Sequence, residues 1–112
     1  MDGISEERLQ QEIFTFHWNN YPDERKLLFM VHNNPRNKID GARLKAKGMV
    51  SGVSDLVYLN PRIRKPQFLE IKTDDGVQSP NQKDWQDLVT KQGYEYYLIR
   101  SLEQVKEVCG WL

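Results

Sequence analysis

Two carboxylates and a lysine lie in two neighbouring apolar segments of this chain. The segment GVSDLVYLNPRIRKPQFLEIK spans residues 52–72, with Asp55 ahead of one apolar run and Glu70 and Lys72 at the end of the next. Alternate residues of a strand face the same side, so Glu70 and Lys72 share a face while their neighbours can enter a core. If the two runs pair as a hairpin, Asp55 falls opposite that end, at a separation of about 5 Å. The pattern therefore predicts a charged cluster at one end of a strand pair.

The two carboxylates of this cluster are predicted to share a cation. At such a separation they repel each other, and one would be protonated unless a positive charge neutralised the pair. Oxygen ligands suit Mg²⁺ or Mn²⁺ rather than zinc. Lys72 adds a compact charge that can stabilise a developing oxyanion or orient a water molecule. A metal and a lysine beside an anionic substrate favour phosphodiester hydrolysis. The alternative is a structural salt bridge between Lys72 and either acid.

Three further residues favour the metal site over the salt bridge. Gly52 permits a tight backbone approach just before the aspartate. Gln82 lies ten residues after Lys72, in the first turn of the next predicted helix, and Glu12 is an acid in the middle of the first predicted helix. Surface positions remain the alternative for Gln82 and Glu12.

The elements that would position these residues follow the order α-β-α-β-β-α-β-α. Helical spacing, serine N-caps and terminal glycines predict helices over residues 5–20, 38–48, 79–93 and 101–112. Apolar or β-branched runs predict strands over residues 26–32, 55–60, 66–72 and 94–100, the first of them buried. This order is typical of an α/β fold with a mixed sheet of about four strands flanked by helices.

Length and composition fit a single domain that covers residues 1–112. The chain is 38% hydrophobic and 29% charged, which is ordinary for a globular protein. One cysteine, Cys109, excludes an intramolecular disulfide and is predicted to be a small core residue in a reducing compartment. The acidic start does not fit a secretory signal, and no apolar run is long enough to span a membrane. We therefore expect a cytosolic protein.

Basic residues are concentrated in one part of a chain whose formal net charge is zero. That balance argues against a purely electrostatic nucleic-acid binder. Residues 36–47 nevertheless hold five basic side chains and one acid, whereas the first 24 residues are acidic. A solvated helix face is the alternative to phosphate binding. Given a nuclease site, DNA phosphates are predicted to bind Arg36, Lys38, Arg43 and Lys47, which favours selectivity for DNA structure over sequence.

The remaining candidate side chains are predicted to be structural. His17 and His32 have no ligand spacing and no cysteine partners, so no zinc site is expected. His17 is predicted on the helix surface, and His32 is not expected to face the site. Trp85 and Tyr96 are predicted to be core residues rather than base-stacking ones.

The combined pattern resembles the VRR-NUC family, the virus-type replication-repair nucleases of the PD-(D/E)XK superfamily. The segments GVSDL, LEIKT, SPNQKDWQ and QGY occur in that order, and the resemblance runs from about Glu7 to Leu112. A bare Asp…Glu-x-Lys pattern is common by chance, but the four segments together are specific. Ser54 stands where the superfamily name has a proline, which shapes the backbone and does no chemistry. The resemblance implies a restriction-endonuclease-like core.

The resemblance also implies roles for individual residues. Asp55 and Glu70 would be metal ligands together with the backbone carbonyl of Ile71, and Lys72 would be the catalytic lysine. Gln82 would support the site or contact the substrate backbone. The helix acid that completes the metal shell, directly or through water, would be Glu12, with Glu6 and Glu7 as nearby alternatives.

The activity that the resemblance implies is Mg²⁺-dependent endonucleolytic cleavage of DNA, with Mn²⁺ as a substitute ion and no organic cofactor. The products would carry 5′-phosphate and 3′-hydroxyl ends. Stand-alone family members resemble symmetric homodimers that cut branched DNA such as four-way (Holliday) junctions, and a two-fold dimer fits a two-fold junction. A bacterial or bacteriophage origin and a cytoplasmic location follow from the same resemblance.

Other functions stay open at this point. One is a nucleic-acid-binding module that keeps the fold without cutting, and another is a nuclease subunit active only with a partner chain. A restriction-type enzyme that reads sequence would need more chain for base-reading loops. Asp74 and Asp75, in the segment TDDG, are predicted to form a turn rather than to join the metal site.

Overall fold

A four-stranded mixed sheet flanked by helices forms the framework of the protein, as the element order predicted. The computed structural model describes residues 5–32 and 35–112. Strands β1, β2 and β3 are successively antiparallel, and β4 joins β3 in parallel, in the order β1-β2-β3-β4. The bounds are α1 Glu6–Asn20, a 3₁₀ turn Pro22–Glu24, β1 Leu28–Met30, α2 Lys38–Ala46, β2 Leu56–Asn60, β3 Lys65–Ile71, α3 Pro80–Lys91, β4 Glu95–Ile99 and α4 Leu102–Cys109.

Helices α1, α3 and α4 begin at their predicted serine caps, whereas α2 and α4 end before the predicted residues 48 and 112, at Ala46 and Cys109. The side chains of Ser5, Ser79 and Ser101 each accept a hydrogen bond from the backbone N–H three residues later, as N-caps do. Asn37 caps α2 in the same way. Beyond α3, Gly93 has a φ of +92°, a left-handed conformation that costs glycine little and ends the helix.

The core lies between one face of the sheet and helices α1 and α4. Alternate residues of β2 and β3 enter it, and α1 and α4 contribute their apolar stripes from above. Cys109 is buried there, which confirms its predicted core role. The fully buried apolar side chains include Ile13, Leu28, Leu56, Tyr58, Leu69, Ile71, Ile99 and Val105. The other face of the central strands carries Glu70 and Lys72.

Strand β1 is shorter and more exposed than predicted. Its three residues pair only with β2, at the edge of the sheet. Leu28 is buried, but Phe29 and Met30 are 42% and 59% exposed. The prediction of a buried strand over residues 26–32 was therefore wrong, because an edge strand lacks a neighbour on one side. The segment NNPRN, residues 33–37, predicts a turn after this strand, and it lies partly outside the described residues.

His17 is a core residue, contrary to its predicted surface position. Its side chain is 2% exposed and its Nε2 lies 3.0 Å from Glu24 Oε1. The ring stacks on Tyr21 and packs against Tyr58 and Trp111. His17 follows the buried Ile13 by four residues, so it shares the apolar face of α1.

The second face of the sheet packs against α3. Trp85 meets Phe68 edge to face, with ring centroids 5.0 Å apart, and Tyr96 lies 5.9 Å from Trp85. Both predicted core aromatics are half-buried. In the described part of the chain, no helix has the length and apolar character needed to cross a bilayer.

Candidate active site

The hairpin of β2 and β3 brings Asp55, Glu70 and Lys72 together. Leu56 pairs with Leu69 across the two strands, so the residue before β2 falls opposite Glu70. The Asp55 carboxylate accepts a hydrogen bond of 2.7 Å from the backbone N–H of Ile71. Lys72 Nζ lies 3.9 Å from Glu70 Oε2. The charged cluster predicted from the spacing is therefore present.

Gln82 links the first turn of α3 to Glu70. Its side-chain oxygen accepts a hydrogen bond of 2.8 Å from the Ser79 N–H, and the Ser79 hydroxyl accepts one from the Gln82 N–H. The amide nitrogen of Gln82 donates to Glu70 Oε2 at 3.0 Å. This capping box holds the Gln82 side chain in the orientation from which its amide donates to Glu70. The Ser-x-x-Gln spacing could have predicted it, since it is the sequence signature of a capping box.

The loop before Asp55 is packed directly on α3. Gly52 has a φ of +87°, and a Cβ at this position would overlap the backbone carbonyl of Asn81. Only glycine accepts both the conformation and the contact. Ser54, at the position of the superfamily proline, is buried and its hydroxyl donates to the Leu56 carbonyl at 3.0 Å. The hydrogen bond of Ser54 thus constrains the backbone where the proline ring of the superfamily pattern would constrain it.

Glu70 is a buried carboxylate with an unsatisfied oxygen. The residue is 1% exposed, and Oε1 has no hydrogen-bond partner among the described residues. Burial, then the neighbouring Asp55 carboxylate, raise the pKa of Glu70 to about 8, and the Lys72 ammonium offsets only part of this. A buried, orphaned carboxylate oxygen is costly, so it requires a proton or a cation.

Helix α1 approaches the cluster through Glu6 rather than Glu12. The negative charge of Glu6 contributes to the raised pKa of Glu70. A Cβ built on Gly76 would lie 3.3 Å from Glu6 Oε2 and 3.4 Å from Lys72 Cδ, which places both side chains around one glycine. Glu12 is exposed and lies on a different side of α1. Of Glu6 and Glu12, Glu6 is the acid that lies near the cluster.

A cleft of about 800 Å³ opens beside the cluster. Asp55, Gln82 and Glu6 line one end of it. The other lining residues come from α1, from the end of β1 and from the loop before β2, and include Gln10, Gln11, Phe14, Thr15, Met30, Val31, His32 and Val53. His32 therefore faces the cleft, contrary to the prediction.

The family of this chain follows from a match that covers most of its length. Residues 4–103 match the VRR-NUC domain. The chain belongs to the VRR-NUC family. This is a nuclease family, so the chain is a nuclease-type domain. A solved structure named "VRR_NUC domain protein" is similar in fold, with a TM-score of 0.74 and 19% identity over 98% of this chain and 88% of that chain. No curated protein matches.

The VRR-NUC site offers Mg²⁺ a small set of hard oxygen donors. Within residues 5–32 and 35–112, no three or more histidine, cysteine, aspartate or glutamate side chains are grouped to hold a metal. Mg²⁺ commonly takes one or two carboxylates and retains several waters, so an ion held by Asp55 and Glu70 would need no further carboxylate. The unpaired oxygen of Glu70 fits this ion, and the Ile71 carbonyl and Glu6 are the further oxygen donors nearby.

Tyr96 is a neighbour of the VRR-NUC carboxylates that sequence reasoning assigned only to the core. Burial and the charge of Glu70 raise the pKa of its hydroxyl. The Gln78 amide donates to this hydroxyl at 3.1 Å and to the Gln86 side chain at 2.8 Å. Polar side chains thus support Glu70 from the α3 side.

The TDDG segment forms a turn beside the site, as predicted. Asp74 and Asp75 are exposed. The Arg100 guanidinium donates to the backbone carbonyls of Thr73 and Asp74 and holds the turn in place.

The basic residues around α2 are exposed on the VRR-NUC domain. Arg36, Lys38, Arg43 and Lys47 all face solvent. Asp40 is buried beneath two of them, since it accepts hydrogen bonds from the Arg36 N–H at 2.9 Å and from the Arg43 guanidinium at 2.6 Å. These bonds lower the pKa of Asp40 to about 2. Asp40 thus holds Arg36 and Arg43 beside each other. Lys38 and Lys47 are exposed to solvent.

Proposed function

We propose that this VRR-NUC domain is a Mg²⁺-dependent endodeoxyribonuclease that hydrolyses phosphodiester bonds in branched DNA, with four-way junctions as the favoured substrate. The observation that carries the proposal is the buried Glu70 carboxylate opposite Asp55. Its Oε1 has no hydrogen-bond partner among the described residues, its Oε2 lies 3.9 Å from Lys72 Nζ, and Asp55 lines an open cleft. In a structural salt bridge both carboxylate oxygens would have partners. Here Oε1 of Glu70 has none within the part of the chain that the structure describes.

Each residue of the site has a distinct role in the proposed reaction. Asp55, Glu70 and the Ile71 carbonyl would hold Mg²⁺, with Glu6 acting directly or through water. When bound, the ion supplies a polarised phosphate and a water of lowered pKa. Lys72, whose side chain is only 10% exposed, donates hydrogen bonds to a non-bridging phosphate oxygen or to the attacking water. Gln82 keeps Glu70 in position.

The α2 surface supplies the DNA contacts in this proposal. Arg36, Lys38, Arg43 and Lys47 would bind backbone phosphates, which positions the strand without reading its sequence. A homodimer would present two such sites, related by a two-fold axis, to a two-fold junction. A monomeric mass in light scattering at working concentration would remove the dimer from the proposal.

The decisive experiment is cleavage of a labelled DNA panel with Mg²⁺ or Mn²⁺. The panel contains a four-way junction, a flap, a fork and a linear duplex, each incubated with wild type, Lys72→Ala and the control Lys91→Ala, which alters an exposed lysine at the far end of α3. We expect junction cutting by wild type and the control, and loss of at least about 100-fold in Lys72→Ala.

Other outcomes of this panel lead to different conclusions. Cutting confined to flaps or single strands would keep the chemistry and reject the junction preference. Metal-dependent cutting that survives in Lys72→Ala would reject the catalytic role of the lysine. Binding without any cutting would favour a non-cleaving module or a subunit that needs a partner chain.

A further inference from the structure

The cleft beside the carboxylates has an apolar end that the proposed hydrolysis does not use. Phe14 of α1 and Met30 and Val31 at the end of β1 line it. Phe14 is 38% exposed and Met30 is 59% exposed. An exposed apolar surface inside a cleft favours a ligand with an apolar face over bulk water.

The Phe14 ring packs against a neighbouring ring of the same helix. It stacks on Trp18, with ring centroids 5.7 Å apart and planes 27° apart. Arg25 covers Trp18 in turn, with its Cζ 4.6 Å from the ring centroid, and its Nε donates to the Trp18 carbonyl at 2.9 Å. A ring held in such a column loses little conformational freedom when another flat group stacks on it.

The apolar end is at a short and fixed distance from the carboxylate end. Phe14 follows Glu6 by eight residues of continuous helix, which is about 12 Å along the axis of α1. A stacked strand of B-form DNA rises about 3.4 Å per nucleotide and an unstacked one extends further, so this distance spans at most about four nucleotides. Between the two ends, Gln10, Gln11 and Thr15 provide side chains that can donate and accept hydrogen bonds.

We propose that this end of the cleft binds one unpaired nucleobase of the strand that is cut, stacked against Phe14 and packed by Met30 and Val31. The assignment rests on the proposed function, because it takes the scissile phosphate to lie at Asp55 and Glu70. An aromatic ring stacks with any base, so the site selects no sequence. It selects DNA with an unpaired nucleotide within about four positions of the cut.

A paired base fits this site poorly. It must first leave its partner and its neighbours in the stack, whereas a base at a branch, bulge or flap is already free to enter. A pocket for a single unpaired base therefore gives structure selectivity a physical cause that phosphate contacts alone do not supply.

The test measures binding without cleavage. All proteins carry Lys72→Ala, and the probe is a duplex with one unpaired 2-aminopurine, compared with the same duplex carrying an abasic residue there. Dissociation constants come from anisotropy in Ca²⁺, and stacking is followed as quenching of 2-aminopurine fluorescence. The variants are Phe14→Ala, Phe14→Leu and Phe14→Tyr. The matched control is Phe29→Ala, which removes an equally exposed ring from β1 that does not line the cleft.

With Phe14 in place, the base-containing probe should bind about 5- to 150-fold more tightly than the abasic probe, and its fluorescence should be quenched. Phe14→Ala should abolish both effects, whereas Phe14→Tyr and Phe29→Ala should retain them. Phe14→Leu keeps apolar bulk, so it serves if the alanine variant is unstable, and it should lose the quenching. Equal binding of the two probes by the parent protein would overturn the inference. So would an equal loss for both probes in Phe14→Ala.

This result is independent of catalysis. Cleavage by wild type without the base effect would refute the base site and keep the nuclease. A base effect without any cleavage would keep the binding site and refute the proposed reaction.

Discussion

Replacing Glu70 by glutamine should stabilise the metal-free protein while abolishing its activity. The Glu70 carboxyl ordinarily has a pKa of 4.5, and burial with the neighbouring Asp55 raises it to about 8 in the folded state. The folded protein thus binds this proton more tightly than the unfolded chain. Stability is therefore lost as the pH rises from about 4.5 to about 8, and no more is lost above that.

The size of the effect follows from the same shift. Each pKa unit is worth about 1.36 kcal/mol, so relative to low pH the wild type loses roughly 1 kcal/mol of stability by pH 5, about 3 kcal/mol by pH 7 and at most about 5 kcal/mol by pH 9. Glutamine has the same shape and carries no charge. Its carbonyl can still accept from the Gln82 amide, and its amide can donate to Asp55, so the variant avoids this cost.

The assay is urea unfolding of both proteins after treatment with chelator, at pH 5, 7 and 9. We expect the stability difference to grow over this range in favour of Glu70→Gln. Added Mg²⁺ should reverse the ranking at pH 7 by stabilising only the wild type, by about 4.1 kcal/mol at one thousand times its dissociation constant. Parallel pH curves for the two proteins would refute the reasoning, as would a glutamine variant that is less stable at pH 7.

Two further predictions concern the elements around the site. Gly52→Ala should lower the free energy of unfolding in urea by roughly 1–3 kcal/mol more than Gly48→Ala does. Both glycines have positive φ, but only Gly52 contacts the Asn81 backbone. Equal losses would show that the contact does not matter. Lys38→Ala combined with Lys47→Ala should reduce the slope of log affinity for DNA against log salt by about two, and an unchanged slope would exclude both lysines from phosphate contacts.

Local patterns in the sequence were sufficient for the elements and for the centre of the site. Capping serines marked three helices, and the hairpin placed Asp55 opposite Glu70 because strand residues alternate with a period of two. Both features depend on residues close together in the chain. They need no knowledge of how the helices pack.

Packing decided the parts that sequence reasoning missed. Glu6 and Glu12 are both acids of α1, and only the direction in which that helix crosses the sheet end brings Glu6 to Lys72. His17 looked polar, but its spacing from Ile13 places it on the buried side, where Glu24 pairs with it. The exposure of Met30 depends on β1 being an edge strand, which no local pattern reveals.

The two faces of β3 link accurate folding to the charged cluster. A slip of one residue in the pairing of β3 with β2 would turn every side chain to the opposite face. Leu69 and Ile71 would leave the core, and Glu70 and Lys72 would enter it, where unpaired charges are strongly disfavoured. The misaligned hairpin is therefore penalised by the same two residues that we assign to the reaction. A variant with apolar residues at both positions would therefore discriminate less strongly against the misaligned hairpin, in addition to losing the proposed activity.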